Sequence, residues 1–319
     1  MKILIIRFSS IGDIVFTSPV VRCVKEQLPN AEVHFCTKEK FAPLVVHNPY
    51  IDKIHFLKGS VNELIGSLKN ENFDYILDLH NNIRTAIIKL RLSGKPFTYK
   101  KYPFQHFLYT RFKINKLPGT HVIDRFFEAA SGIGVVNDGK GINVFIDQQD
   151  DVNVNAAFPG IGSDYTAIVI GASANTKKMP TAKLIELCKA INQDIILVGG
   201  QEDHAKAGEV LSVFSDIEEK KRIYNACGRF TINQSASIVK QASLVVGHDT
   251  GLTHMAAAFH QKIYSVWGNT VPEFGMYPYV KESIFIENKT LACRPCSKLG
   301  SKKCPEGHFK CMNDLQFSF

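Results

Sequence analysis

The sequence contains no apolar run that approaches a membrane span, which needs about 20 residues. Its first apolar run covers only Ile3 to Ile6 before Arg7, and no small-residue cleavage pattern follows, so we expect neither a signal peptide nor a membrane anchor. We therefore expect a cytoplasmic protein. Disulfides are rare in that compartment, so the eight cysteines are expected to be free or bound to a metal.

Two common nucleotide-binding signatures are also absent. No Walker sequence is present, which argues against phosphoryl transfer from ATP, and no G-x-G-x-x-G follows the first predicted strand, as a nicotinamide oxidoreductase would require. The sequence has an excess of positive charge, with 38 Lys and Arg residues and 30 Asp and Glu residues. The resulting formal charge of +8 indicates an anionic partner without choosing among nucleic acid, a phosphorylated substrate and an acidic membrane.

Apolar runs alternate with amphipathic stretches along most of the chain, in βαβα order with short links. Strands are predicted at 2–8, 32–36, 53–57, 75–79, 166–170, 194–198, 244–246 and 262–267, and helices at 11–27, 39–46, 61–70, 83–92, 181–192, 234–241 and 252–259. This order predicts parallel sheets covered by helices on both faces. A polar, turn-rich stretch at 147–165 separates the two halves. We therefore predict an α/β fold of two Rossmann-like, doubly wound domains, residues 1–152 and 163–319, facing a cleft.

The stretch V-V-G-H-D-T-G-L-T-H, residues 245–254, joins a predicted strand to a predicted helix through an Asp-Thr-Gly turn. Free N–H groups at the start of a helix and a Thr hydroxyl predict an anion site at Asp249, Thr250 and Gly251, and a plain helix cap is the alternative. His254 follows four residues after Thr250 and would lie on the same helical face. It is a ligand candidate or a structural histidine.

Three more turns follow predicted strands in the second half of the chain. They contain, in order, Ser173, Thr176 and Lys177, then Glu202, then Gly268 and Thr270. A lysine in such a turn can neutralise the charge of a leaving diphosphate, and Glu202 can accept hydrogen bonds from ribose hydroxyls. Together with the Asp-Thr-Gly turn, they predict a nucleotide-diphosphate pocket in the second domain.

Five motifs appear along the chain in a recognisable order. They are R-F-S-S-I-G-D-I-V-F-T-S-P (7–19), D-L-H-N-N-I-R (78–84), K-K-M-P (177–180), H-D-T-G-L-T-H-M-A-A-A (248–258) and W-G-N-T-V-P (267–272). With them the sequence resembles glycosyltransferase family nine, the lipopolysaccharide heptosyltransferases. The resemblance implies the B-type glycosyltransferase architecture, an ADP-heptose donor, an inverting mechanism without a catalytic metal, and a lipid-linked acceptor sugar of the lipopolysaccharide core.

The resemblance also implies roles for individual residues. Asp13 matches the acidic residue of the S-S-x-G-D motif, the general base of the family, so Ser10 and Gly12 in the same turn would face the acceptor. Lys177 matches the lysine of the K-x-W-P turn, although Met179 stands in place of the aromatic residue. The set Asp249, Thr250, Gly251 and His254 matches the motif at the ADP diphosphate.

The acceptor side is defined less sharply by the sequence. Asn81, Asn82 and Arg84 follow a predicted strand and could contact acid groups of the acceptor, with helix capping and solubility as their alternative. Residues 91–116 interleave Lys and Arg with aromatic residues, which suits an anionic glycolipid at a membrane surface. A solvated basic face and single-stranded nucleic acid are the alternatives. We expect peripheral contact with the inner face of the inner membrane and no nucleic-acid partner.

The C-terminal cysteines Cys293, Cys296, Cys304 and Cys311 are spaced C-x2-C-x7-C-x6-C, with His308 among them. Three interpretations are open: a structural metal such as zinc, reduced thiols in a packed loop, and disulfides. We expect no cofactor in catalysis. Two other functions stay open: a glycosyltransferase that uses a different nucleotide sugar, and a nucleic-acid-binding protein with a zinc module.

Overall fold

Two compact units make up the chain in a computed structural model that describes residues 1–214 and 222–319. The first consists of Met1–Tyr102 with Thr120–Phe145, and the second of Pro103–Gly119 with Ile146–Phe319. Residues 103–119, which the sequence placed in the N-terminal domain, thus pack with the second unit. His106 and Tyr109 meet Phe274 there, at ring-centroid distances of 5.1 and 5.9 Å. Because these partners lie far along the chain, local sequence carries no signal of the contact.

Each unit contains one parallel sheet. The strands in the described residues are β1 (Lys2–Ile6), β2 (Glu32–Lys38), β3 (Lys53–Leu57), β4 (Tyr75–Asp78), β5 (Lys95–Thr98), β6 (Tyr165–Val169), β7 (Asp194–Val198), β8 (Ile223–Asn225), β9 (Leu244–His248), β10 (Lys262–Trp267) and β11 (Ser283–Glu287). The sheet orders are β3-β2-β1-β4-β5 and β11-β10-β9-β6-β7-β8, and every pairing is parallel. The predicted α/β class with two parallel sheets is confirmed.

Helices flank these strands. They are α1 (Ile11–Val15), α2 (Ser18–Gln27), α3 (Val61–Lys69), α4 (Ile83–Arg91), α5 (Pro103–Phe112), α6 (Val122–Ala130), α7 (Val154–Ala157), α8 (Thr181–Ala190), α9 (His204–Phe214), α10 (Ile232–Gln241), α11 (Gly251–Ala257) and α12 (Lys310–Asn313), all within the described residues. Short 3₁₀ turns occupy Glu39–Leu44, Ser131–Ile133, Gln148–Asp150, Asn175–Lys177, Gln201–Asp203 and Pro272–Phe274. The region predicted as a helix at 39–46 is thus a 3₁₀ turn. No helix among the described residues is long and apolar enough to cross a membrane.

The helix predicted at 11–27 is in fact two helices, α1 and α2. Pro19 has no N–H to donate, and inside a continuous helix its ring would clash with the carbonyl of Val15. The chain therefore restarts at Ser18, which leaves Pro19 in the first turn of α2. The side chains of Thr17 and Ser18 donate hydrogen bonds to the carbonyls of Ile14 and Val15 at 2.7 Å and satisfy the end of α1. The break makes α1 a short separate element that carries Asp13.

The central strands are buried on both faces, as expected where helices cover both sides of a parallel sheet. Residues Ile3 to Ile6 of β1 and Ile195 to Val198 of β7 are fully enclosed. Cys23, Cys36, Cys188 and Cys227 are free thiols within these cores. The functional candidates therefore sit on rigid, well-packed scaffolds, at the loops that follow the strands.

Candidate functional site

Asp13 lies in the first turn of α1, just beyond the carboxyl end of β1. Its Oδ2 accepts hydrogen bonds from the N–H of Ser10 at 3.0 Å and from the hydroxyl of Ser10 at 2.7 Å. Its Oδ1 forms an ion pair with the guanidinium of Arg7, and the two side chains are 14% and 7% exposed. Gly12 beside it is buried, whereas Ser10 is exposed. The carboxylate is therefore held in one orientation at an accessible edge of the sheet.

The electrostatic setting of Asp13 keeps it ionised. Burial alone would raise the pKa of this carboxyl, but the positive charge of Arg7 and the hydrogen bonds from Ser10 outweigh it, so the pKa lies below its ordinary value. Arg7 is itself fixed, because its Nε donates to the carbonyl of Ser9 at 2.8 Å and its Nη1 to the carbonyl of Leu79. Asp13 is therefore a negatively charged carboxylate at neutral pH.

The other acceptor candidates lie after β4, next to β1 in the sheet. Asn81 donates through Nδ2 to the carbonyl of Tyr99 at 2.9 Å. Asn82 caps α4, because its side-chain oxygen accepts the N–H of Thr85 at 3.0 Å. Arg84 is exposed in the first turn of α4. Both asparagines thus have structural partners, and only Arg84 presents its polar group openly to solvent.

Two residues that sequence reasoning missed face the same edge. Lys101 is half-buried near the ring of Tyr99, and burial, followed by the charge of Arg7, lowers its pKa. His80 packs edge-on against Phe8 at 5.3 Å, and burial followed by Arg7 lowers its pKa to about 4. The Nδ1 atom of His80 is buried without a hydrogen-bond partner among the described residues. Lys101 belongs to the predicted basic segment 91–116, so its location could have singled it out.

In the second unit, three predicted residues converge on the carboxylate of a fourth, Asp249. Lys177 Nζ lies 2.6 Å from Oδ2 of Asp249, and each side chain is 11% exposed. Thr270 donates its hydroxyl to the same Oδ2 at 3.3 Å, and His254 Nε2 lies 3.4 Å from Oδ1. These residues follow β6, β9 and β10, which are neighbours in the sheet, so the topology itself brings them together.

Asp249 is the anionic centre of this cluster. Its burial would raise the pKa, but the charge of Lys177, assisted by His254, lowers it to about 2. Asp249 is therefore ionised and holds the Lys177 ammonium in place, with a second contact from Nζ to the Asp249 carbonyl at 3.3 Å. The result is a fixed cation at the carboxyl edge of a parallel sheet, where ligands of such folds bind.

The remaining donor candidates surround this cluster or lie at the surface. Thr176 is buried and exchanges hydrogen bonds with the backbone of Ser301, and Ser173 and Glu202 are exposed. Gly268 is packed so tightly that a Cβ atom there would lie 3.1 Å from the carbonyl of Thr176 and 2.5 Å from Met312. Thr250 and Gly251 form the start of α11, and Thr250 accepts the N–H of His254 through its carbonyl.

Several supporting residues of the second unit were missed. Lys178 pairs with buried Asp203 at 2.6 Å. His248 accepts the N–H of buried Met179 through Nε2 at 3.0 Å, and burial followed by the charge of Lys206 lowers its pKa to about 3, so it is neutral. These contacts fix the loop that carries Lys177.

Arg294, the second residue of the C-R-P-C motif, supports another loop of the site. It donates to the carbonyls of Gly268 at 2.5 Å and Thr270 at 3.0 Å and pairs with Glu287 at 2.9 Å. Because it joins residues far apart in sequence, only its position inside the cysteine motif could have drawn notice. It holds the loop that presents the Thr270 hydroxyl.

The C-terminal cysteines are close to one another but do not form a ready metal site. All four are free thiols, and Cys311 is the buried one. Cys293 Sγ lies 4.0 Å from Nε2 of His308, and Cys296 donates its thiol to the Cys293 carbonyl at 3.1 Å. No three of these thiol and imidazole atoms lie within 4.8 Å of one another. Thiol and imidazole groups are ligands that zinc prefers, but these atoms lie too far apart to coordinate one ion tetrahedrally.

Comparisons with known proteins relate the chain to one family. The family model described as glycosyltransferase family 9 (heptosyltransferase) matches residues 61–308. Lipopolysaccharide heptosyltransferase 1 of Campylobacter coli is 25% identical over 301 residues, covering 85% of this chain and 84% of the relative. A family 9 glycosyl transferase structure from Veillonella parvula aligns with a TM-score of 0.72 at 20% identity, over 90% and 86% of the two chains. The structure of the E. coli heptosyltransferase WaaC with ADP aligns with a TM-score of 0.67 at 19% identity, over 94% of this chain and 95% of that chain. The two structures establish a shared fold of the B-type glycosyltransferase kind.

Proposed function

Because the chain belongs to glycosyltransferase family 9, whose model covers residues 61–308, we propose that it transfers a heptosyl or related unit from ADP-heptose to a lipid-linked acceptor of the lipopolysaccharide core. Family membership makes it a glycosyltransferase. The observation that carries the finer proposal is the Lys177 ammonium held at 2.6 Å from Asp249, beside His254 and Thr270. Such a fixed cation suits a nucleotide diphosphate.

The donor binds the second unit in this proposal. Lys177 donates to the diphosphate, while Asp249 keeps its ammonium oriented and carries no proton at neutral pH. The Thr250 hydroxyl and the N–H of Gly251 add neutral donors at the start of α11. ADP is the nucleotide we favour for the donor, since the similar E. coli WaaC was solved with ADP. Lys177 then stabilises the departing diphosphate, the role that a metal ion has in other transferases.

The acceptor binds the first unit, next to Asp13. A hydroxyl of the acceptor attacks the anomeric carbon, its proton passes to a carboxylate oxygen of Asp13, and the bond from that carbon to the diphosphate breaks. Attack opposite the leaving group inverts the anomeric configuration. Arg7 and Ser10 support this role because they fix the carboxylate in its ionised form. Lys101 and Arg84 supply positive charge for an acidic acceptor sugar.

The donor is identified by a screen of ADP-, GDP-, UDP- and CMP-sugars, with NAD included as a competitor ligand, and thermal shift and product formation are measured for the purified full chain. We expect ADP-heptose to raise Tm and to turn over, because a bound donor stabilises the folded state by mass action. ADP alone serves as the control for nucleotide binding without transfer. Turnover with a UDP- or GDP-sugar instead would select the alternative donor, and a preferential shift with NAD would contradict the proposal.

We also propose peripheral membrane contact through α5. Phe104, Phe107 and Phe112 are 64%, 54% and 57% exposed, and the rings of Phe107 and Phe112 lie 5.8 Å apart. Arg111 and Lys116 are exposed beside them. Exposed aromatic side chains next to basic ones suit the interface of an anionic bilayer. The location that follows is the inner face of the inner membrane, where a lipid-linked acceptor would be presented.

Replacing Phe104 and Phe107 together by serine should weaken binding to phosphatidylglycerol-containing vesicles by about tenfold or more, because each ring loses apolar burial in the interface. Cosedimentation measures the effect. Val136→Ser is the matched control, since Val136 is 64% exposed but lies outside α5. An equal loss of vesicle binding in the double variant and in Val136→Ser, or binding that does not depend on the anionic lipid, would contradict the proposed membrane contact.

The structural metal stays a proposal. Cys293, Cys296, Cys304 and Cys311 supply thiols that zinc prefers, and their loop would have to rearrange to bring them into tetrahedral contact. No step of the proposed transfer depends on it.

A further inference from the structure

A cluster of histidine and carboxylate side chains lies at the amino ends of β2 and β3, away from the strand ends that carry the candidate site. In the register of these strands His55 pairs with Cys36 and His34 with Lys53, so the two histidines project from the same face. His34 is 0% exposed and His55 is 7% exposed. Glu71, from the loop after α3, approaches the same point. The proposed transfer uses none of these residues.

The side chains of the cluster lie close to one another. His34 Nδ1 lies 2.8 Å from His55 Nε2, and His34 Nε2 lies 2.8 Å from a carboxylate oxygen of Glu32. One ligand atom each of His34, His55 and Glu71 lies within 4.8 Å of the other two, and no other such group of three occurs in the described part of the chain. The ring of Phe73 packs edge-on against His34 and His55 and closes one side.

The contact with Glu32 decides the tautomer of His34. An ionised carboxylate only accepts hydrogen bonds, so Nε2 of His34 carries the hydrogen and Nδ1 presents a lone pair towards His55. A carboxylate that binds the far nitrogen of a histidine is the usual support of a metal-ligating imidazole, because it fixes the ring and increases its basicity. Two imidazole nitrogens 2.8 Å apart can share either a hydrogen or a cation.

Two lysines now compensate the charge of Glu71. Lys2 Nζ lies 3.1 Å from one carboxylate oxygen, and Lys53 pairs with the other. Their side chains are 34% and 52% exposed, so both ammonium groups can turn into solvent without losing a buried position. A bound divalent cation would then take their place at Glu71, while Glu32 keeps its contact with His34.

We propose that His34 Nδ1, His55 Nε2 and a carboxylate oxygen of Glu71 form a binding site for a zinc-class divalent cation, independent of the proposed transfer. Two imidazoles and one carboxylate are a donor set that zinc takes readily, whereas magnesium and calcium prefer oxygen ligands alone. A water molecule completes four-coordination. The ion would join β2, β3 and the loop after α3, and therefore acts on the stability of the first unit.

The test uses the full chain, stripped with EDTA and titrated with ZnCl2 in a calorimeter, with bound zinc counted by atomic emission. His55→Asn should bind one zinc per chain fewer than the wild type, and Glu71→Gln should weaken that zinc by about tenfold or more. Zinc should also raise the wild-type Tm more than that of either variant. Any zinc held by the C-terminal cysteines is common to all these proteins and cancels in the comparison.

His260→Asn is the matched control, since it removes an exposed imidazole outside the cluster, and it should behave as the wild type. If His55→Asn does not fold by circular dichroism, Glu71→Gln carries the comparison, because glutamine keeps the size of the side chain. Wild-type zinc content and affinity in Glu71→Gln, or no zinc difference between His55→Asn and the wild type, would overturn the proposal. We expect all of these variants to keep sugar transfer. Failure of the zinc site can therefore be distinguished from failure of the proposed function.

Discussion

Replacing Asp13 with asparagine is expected to lower kcat for sugar transfer by about 100- to 10,000-fold, the range in which general bases contribute. Asparagine keeps the shape of the side chain and an oxygen that can accept from Ser10, but it cannot take the proton of the acceptor hydroxyl. The Kd for ADP should stay close to that of the wild type, because the proposed nucleotide site lies in the second unit. Product formation and ADP calorimetry on the same preparation measure both effects.

The substitution also costs stability, because Arg7 loses the partner of its buried guanidinium. Asp138→Asn is therefore the matched control. Asp138 binds Arg22, which is 2% exposed, at 2.7 and 2.8 Å in the same unit, and it lies outside the proposed site. Comparable losses in Tm with a large loss of kcat only in Asp13→Asn would support a catalytic base. Near wild-type kcat in folded Asp13→Asn would reduce Asp13 to a cap of α1.

The pH dependence follows from the same contacts. The pKa of Asp13 is depressed, so the carboxylate loses its charge only as the pH falls through a value below the ordinary carboxyl range. No acid limb from Asp13 is therefore expected in the kcat profile between pH 5 and 8. Removal of Arg7 would raise that pKa, since its charge is the main factor that lowers it.

The sequence predicted the repeating units of this fold well because parallel strands buried on both faces have a strong local pattern. Runs such as Ile3 to Ile6 are continuous and apolar, and the turns after them carry the candidate residues. Shorter or more polar strands escaped prediction: β5 contains Lys95 and Pro96, and β8 is three residues long. In these strands pairing with a neighbour, rather than local composition, determines the structure.

The candidate site was predictable as a set of turns but not as a set of contacts. Sequence placed Lys177, Asp249 and Thr270 at strand ends, yet nothing local indicates that a lysine and an aspartate 72 positions apart meet at 2.6 Å. The supporting residues Lys178 and Arg294 were missed for the same reason, since their partners come from other loops. Helix capping by Asn82, in contrast, was foreseen as an alternative because caps are local.

Lys177→Met is expected to lower kcat/KM for the donor by about 100- to 1000-fold, as the loss of a charged group that stabilises a leaving group does elsewhere. Methionine has nearly the length of lysine but cannot neutralise the diphosphate. The variant also leaves Asp249 with only His254 and Thr270, so the pKa of this carboxyl should rise from about 2. As long as Asp249 stays ionised, it repels the diphosphate once its counter-charge is gone, which adds to the loss of the Lys177 charge.

Lys178→Met separates this electrostatic role from a loss of folding. Lys178 is the next residue, its side chain is 16% exposed against 11% for Lys177, and it too forms an ion pair of 2.6 Å, with Asp203. Removing one member of either pair leaves a carboxylate without its partner, which is destabilising in each case. ADP calorimetry and steady-state kinetics on both variants should therefore show similar losses of Tm but a large loss of donor affinity and kcat only for Lys177→Met. Equal kinetic losses would mean that the loop, and not the Lys177 charge, supports transfer.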